Sequence, residues 1–190
     1  DVRYGLGIQM LLYLFTLEKE GQSCFGYPIV PAGVLYHPAR DLILKTERDI
    51  SPEALRKAMD RELRRDGMVL GDPEVLRAME HSALEAPCFL PIQVSKDGGI
   101  SGGVATAAQL GRLGQYVEKL LHQITRELRQ GNIDADPCWR GPQESACTYC
   151  DFASACHFQD GQAGDRLRPL KRVKADEFWE FVAHETGEEG

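Results

Sequence analysis

Long apolar runs are missing from this chain. The longest apolar-rich stretch, Ile8 to Leu17, is interrupted by Gln9, Tyr13 and Thr16. Roughly 18 apolar residues in a row are needed to cross a bilayer, so no membrane span is expected. No basic stretch precedes a hydrophobic segment, so no secretory leader is expected either. An excess of positive charge is also absent. Twenty-two basic residues stand against 29 acidic ones, for a formal net charge of −7. Such a balance excludes nucleic-acid binding by the bulk field of the domain and leaves it to local patches. Cysteine is too sparse, at 6 in 190 residues, for a secreted disulfide scaffold. Half of the cysteines are clustered, which points to a reducing cytoplasm. Internal repeats and low-complexity tracts are absent too. What remains is ordinary globular composition, 43% hydrophobic and 27% charged, at a length that suits one domain with a small appendage.

Periodicity predicts mixed structure. Residues 3–19 read as a largely buried helix, with Leu6, Met10, Leu14 and Leu17 on one stripe widened by Leu11 and Phe15; Gly21, Gly26 and Pro28 end it. Gln9 and Tyr13, four apart, share a face. Val30, Ala32, Val34 and Tyr36 alternate as a strand, with Leu42 to Thr46 expected to return as its hairpin partner. Ser51-Pro52 opens a second helix striped by Leu55, Met59 and Leu63 and stopped by Gly67, and its arginines, Arg56 to Arg65, form a wet face. A short helix follows Asp72-Pro73. Residues 89–95 form a strand before the turn Asp97-Gly98-Gly99. Thr106 and Gln109 make a capping box for a helix carrying Leu110, Leu113, Val117, Leu120, Ile124 and Leu128, which Gly131 caps. A last helix spans about Ala175 to His184. Only four or five weak strands emerge, thin cover for several helices. Together with the opening Asp1, this predicts a piece of a longer α/β or α+β protein.

Cys147, Cys150 and Cys156 carry the strongest chemical signal, at C-x2-C-x5-C spacing. Two thiolates separated by two residues grip a metal across a tight turn, and five further residues return a third sulfur to the same point. Two centres fit. A structural zinc would recruit Cys138 to complete a local set of four cysteines. An iron–sulfur cluster would take its fourth ligand from elsewhere. Zinc sites usually pair two short knuckles, and the chain has one, which favours iron–sulfur. Cys24 and Cys88 lack ligand-spaced neighbours and read as small buried hydrophobes. The five histidines show no paired metal spacing.

Tyr4-Gly5-Leu6-Gly7-Ile8-Gln9-Met10-Leu11-Leu12-Tyr13-Leu14 resembles the helix that closes the active site of RecB-type PD-(D/E)XK nucleases, where a Gln-x3-Tyr pair follows the catalytic strands. Pro31 to Tyr36, Gly67 to Leu70 and Val75 to Met79 resemble the AddB-like branch, the nuclease-bearing B subunits of bacterial helicase–nucleases. Gly131-Asn132-Ile133 leading into Cys147-Thr148-Tyr149-Cys150-Asp151-Phe152 and Cys156 resembles that branch's iron–sulfur segment. The resemblance runs from residue 4 to about residue 160.

It implies the C-terminal portion of a helix-rich, restriction-endonuclease-like α/β domain. The expected organisation is a partial nuclease domain over 1–130, an iron–sulfur segment over 131–160, and a basic segment with a C-terminal helix over 161–190. It implies DNA and an AddA-like helicase–nuclease subunit as partners, and end resection in double-strand-break repair as the role. It implies Gln9 and Tyr13 as auxiliary active-site residues, and Cys147, Cys150 and Cys156 as ligands of a [4Fe-4S] cluster whose fourth cysteine lies far upstream. It also implies Mg2+ in the intact nuclease site.

One departure is sharp. The superfamily requires an Asp and then a Glu or Asp two residues before a Lys, and none of the seven lysines here has that neighbour. The chain by itself is therefore expected not to cut DNA. Arg166, Arg168, Lys171, Arg172 and Lys174, with no acidic residue among them, form a basic strip that suits phosphate contacts, a solvated linker or a face turned to a partner subunit.

Overall fold

The computed structural model describes residues 1–162 and 164–187. The chain divides into two compact units: residues 9–114, and residues 1–8 with 115–190.

The first unit opens with α1 (Gln9–Phe25). The predicted helix over 3–19 is corrected at both ends. Residues Val2–Tyr4 form one 3-10 turn, and Gly5 and Gly7, at φ 78° and 69°, break the chain before α1 begins. Gly21 does not end the helix. It lies inside α1 against Ile29, whose side chain comes within 2.6 Å of where a Cβ would stand. The buried positions are Leu11, Phe15 and Gly21, while Met10 and Leu17 are exposed. The buried line therefore runs through the residues expected only to widen the stripe. Phe15 packs on Gly114, where a missing side chain makes room for the ring.

β1 (Gly33–Tyr36) pairs antiparallel with β2 (Asp66–Leu70), and β2 pairs parallel with β5 (Val104–Ala105). Leu42 to Thr46, expected to return as a strand, takes no regular structure. The distant β2 supplies the partner because Val69 brings a fully buried side chain to the core, whereas Ile43 is 87% exposed. Between them lies α2 (Pro52–Glu62), N-capped by Ser51, whose hydroxyl accepts the Ala54 N–H. The expected burial of Leu55 and Met59 is not found, since both are exposed. α2 ends at Glu62, and Gly67 falls inside β2.

α3 (Pro73–Met79) is capped by Asp72, which accepts from Glu74 and Val75. β3 (Ile92–Val94) and β4 (Ile100–Gly102) form the expected hairpin. The core of this unit is Val69, Leu76, Ala83, Leu90 and Ile92. The loop that delivers Leu90 is pinned from two sides. Glu80 accepts the N–H groups of Cys88, Phe89 and Leu90, and Arg64 donates to the carbonyls of Leu90 and Ile92. Arg64 is thus a structural tie rather than part of a wet helix face. Cys88 is half-buried, and burial pushes its thiol pKa up, but Cys24 is exposed, contrary to expectation.

α4 (Ala107–Arg129) starts at the predicted capping box: Thr106 Oγ1 accepts the Gln109 N–H, and Gln109 Oε1 accepts the Thr106 N–H. Leu110, Leu113 and Val117 are buried, whereas Ile124 and Leu128 are exposed, so only the first half of its stripe enters a core.

In the second unit, β6 (Cys138–Trp139) pairs parallel with β7 (Arg168–Pro169), α5 spans Ala153–Cys156, and α6 spans Ala175–Gly187. Val182 is buried, and Tyr116 meets Phe181 edge-on at 5.3 Å. The Tyr116 hydroxyl donates to the Arg3 carbonyl at 2.8 Å. Burial, reinforced by Glu185, raises its pKa above the ordinary tyrosine value. The neutral phenol is therefore favoured by folding. Its contribution is complete below the unfolded-state pKa and is lost as pH rises through the folded one. Tyr116→Phe keeps the ring contact and removes the hydrogen bond. A loss of about 1 kcal/mol in urea unfolding is expected, with a weaker alkaline fall in stability.

Six helices and three small sheets make the described residues a mixed α/β structure. None of its helices is long and apolar enough to cross a membrane.

Candidate functional site

Gln9 and Tyr13 stand in the opening turns of α1. Because they are four residues apart, they meet on one face, and the Gln9 amide donates to the Tyr13 hydroxyl at 2.9 Å. Tyr13 is 53% exposed, so the phenol is not a core side chain. Gln9 is exposed as well. The amide N–H fixes the phenol oxygen while leaving the phenol its own proton. The pair thus presents an oriented, uncharged O–H donor to whatever lies outside this face. On the opposite side of the helix, Leu11 and Phe15 hold it down.

The cysteine segment belongs to the other unit. β6 leads into a tight loop closed by Arg140 N–H to Glu144 O at 2.8 Å and by Ala146 N–H to Cys138 O at 3.0 Å. Next comes the knuckle, where Cys147 N–H donates to Ser145 Oγ and Cys150 N–H to Cys147 O, at 3.2 and 3.4 Å. α5 then carries Cys156, whose N–H donates to Phe152 O, and His157 closes it in the left-handed region at φ 53°. Cys147, Cys150 and Cys156 are exposed free thiols, and Cys138 is half-buried. Among the described residues, no three Cys, His, Asp or Glu side chains are gathered as a metal seat. The backbone turn and the soft donors for a cluster are present, but the sulfurs are not drawn to one point. A Mg2+ seat fits this chain less well still, because it has neither the Glu/Asp-x-Lys pattern nor a gathered carboxylate set among the described residues.

The basic strip is exposed throughout but unevenly committed. Arg172 pairs with Glu144 at 2.9 Å, and Arg168 lies 3.9 Å from Asp136. Arg166, Lys171 and Lys174 are exposed, with no side-chain ion pair among the described residues. Sequence reasoning missed Arg3, Tyr4 and Arg140. The Arg3 guanidinium lies 4.3 Å over the Phe181 ring, Tyr4 accepts the Lys171 N–H at 3.1 Å, and Arg140 pairs with Asp1. No local spacing announces contacts between such distant positions.

Comparison with known proteins gives the family of the chain. Residues 1–157 match the family model described as the PD-(D/E)XK nuclease superfamily. A protein of Thermoanaerobacter sp. (strain X514), named as the B subunit of an ATP-dependent helicase/deoxyribonuclease, is 33% identical over 196 residues, covering 100% of this chain and 16% of that relative. The proteins of the same name from Acetivibrio thermocellus and Clostridium botulinum (strain Loch Maree / Type A3) are 33% and 32% identical. They cover 99% and 96% of this chain, which again spans 16% of each relative. With the greater part of its length matched, the chain belongs to the PD-(D/E)XK nuclease superfamily.

Proposed function

We propose that this chain is a C-terminal part of an AddB-like subunit of an ATP-dependent helicase–deoxyribonuclease, which resects DNA ends at double-strand breaks in the bacterial cytoplasm with an AddA-like partner. The observation that carries this reading is the exposed Gln9–Tyr13 pair on α1, in a chain whose superfamily match covers residues 1–157. An oriented phenol donor suits a scissile phosphate, where charge develops during attack. Gln9 holds the phenol, and Tyr13 donates to a phosphate oxygen or to the attacking water. The magnesium ion that this chemistry requires would be held by residues this chain does not contain.

Cys147, Cys150 and Cys156 would supply three of the four ligands of a [4Fe-4S] cluster, and exposed thiols on one short segment suit that donor set. When bound, the cluster would tie this segment to the part of the full-length subunit that supplies its fourth ligand. The strip from Arg166 to Lys174 would touch DNA phosphates without reading sequence.

A direct test compares this chain with the full-length subunit assembled with its helicase partner. On linear duplex DNA with Mg2+ and ATP, the assembly is expected to release acid-soluble nucleotides and the chain alone none. Cleavage by the chain alone, or an inert assembly, would overturn the reading.

One observation favours a second reading. The hydrogen bond from Ala146 N–H to Cys138 O sets the Cys138 backbone beside the residue preceding Cys147. A local zinc site of Cys138, Cys147, Cys150 and Cys156 would make this segment a zinc-stapled nucleic-acid- or protein-binding module.

A further inference from the structure

We infer that Arg3, Tyr4, Arg140 and Lys171 form a seat for a phosphate group, and that its occupant is a phosphodiester of a DNA strand. The inference rests on the nuclease reading and goes beyond it by naming a contact point. These side chains line one cleft of about 420 Å³ within the second unit, where Arg172 joins them and Asp1 is the one carboxylate. Four cations facing one acid is a marked local reversal in a chain of net charge −7. A positive cleft of this kind concentrates anions where the bulk field does not.

The cations are held in place by different means. The Arg3 guanidinium stacks over Phe181, and its position does not depend on an acidic partner. Arg140 is 19% exposed, so most of its side chain lies in the cleft wall, and its buried Nε finds no acceptor among the described residues. Its Nη2 grips the Asp1 carboxylate, so the seat already holds an oxyanion. Tyr4 accepts the Lys171 backbone N–H and keeps its own proton to donate. Lys171 extends an exposed ammonium with no ion-pair partner among the described residues. Arg172 contributes least, because Glu144 neutralises it.

Arginines, a lysine and a tyrosine lining one cleft suit a tetrahedral phosphate, whose oxygens accept in several directions at once. A strand phosphate and free inorganic phosphate share this chemistry, and the test separates them. Fluorescence anisotropy of the chain with labelled duplex DNA is measured against salt, beside calorimetric titration with inorganic phosphate. Lys171→Gln is expected to weaken DNA binding about tenfold at low salt. It should also reduce the slope of log K against log salt by about 1. Asp1→Asn removes the competing carboxylate and is expected to strengthen binding, a gain that damage to folding does not produce. Lys57→Gln, paired with Glu53 on α2, serves as the neutral control.

Phosphate binding that is sensitive to Lys171 and Asp1, with DNA binding indifferent to them, upholds the seat and assigns it to the free ion. DNA binding that neither variant changes, with no phosphate bound at the seat, overturns the seat and leaves the nuclease reading standing. A chain that binds neither DNA nor phosphate overturns the seat and counts against DNA as its ligand.

Discussion

Replacing Gly67 with alanine is expected to lower stability by about 4 kcal/mol, with roughly half from backbone strain and half from steric overlap. Gly67 sits in β2 at φ 133°, a conformation that side-chain-bearing residues rarely adopt. A Cβ there would run into the carbonyl oxygen of Val34 on the paired strand. Neither strand can yield cheaply, because Val34 and Val69 hold the β1–β2 pair in register with buried side chains. The midpoint of urea unfolding should fall with an unchanged slope. A loss below about 1 kcal/mol would show that the two strands separate at little cost.

Removal of the Gln9–Tyr13 pair is expected to have the largest effect on function. In the assembled two-subunit enzyme, Tyr13→Phe deletes the O–H donor and preserves the ring. DNA cleavage should fall about a hundredfold, the usual consequence of losing one oriented donor to developing charge. Gln9→Ala frees the phenol from its 2.9 Å hydrogen bond and should cost nearly as much. The double substitution should fall little further, since the two side chains act as a unit. ATP hydrolysis, read on the same preparation, should be unchanged. Because Tyr13 is half-exposed and not part of the core, neither change should move the unfolding midpoint much. Wild-type cleavage by Tyr13→Phe would leave the pair as ordinary surface residues.

Features encoded within a few residues are legible in the sequence. The cap at Ser51 and the box at Thr106 and Gln109 are local hydrogen bonds that form as the sequence predicts, and the helix expected after Asp72-Pro73 is in place. The Gln9–Tyr13 contact is likewise a matter of helical spacing. Pairing between distant segments is not legible. The stretch from Leu42 to Thr46 has the pattern of a return strand, but β1 takes Asp66–Leu70. What distinguishes the two is which one delivers a side chain to the core, and that depends on Leu76, Leu90 and Ile92 arriving from elsewhere.

The same holds for the two ties on residues 88–92. Glu80 and Arg64 act on backbone groups, which leave no mark on side-chain patterns. In α1, Gly5 and Gly7 stop the helix from starting early, and packing rather than apolar spacing alone sets the buried line through Leu11 and Phe15. In the cysteine segment, spacing foretells the turn at Cys147 and Cys150, and the structure forms that turn with the thiols left exposed.

Iron and acid-labile sulfide in protein purified without oxygen test most directly whether Cys147, Cys150 and Cys156 clasp a cluster that braces a DNA-hydrolysing lobe. In the full-length subunit, about four irons and about four sulfides per chain are expected, with a brown chromophore that Cys147→Ala abolishes along with much of the domain's stability. One zinc with neither iron nor sulfide, or iron content and stability untouched by Cys147→Ala, would contradict it.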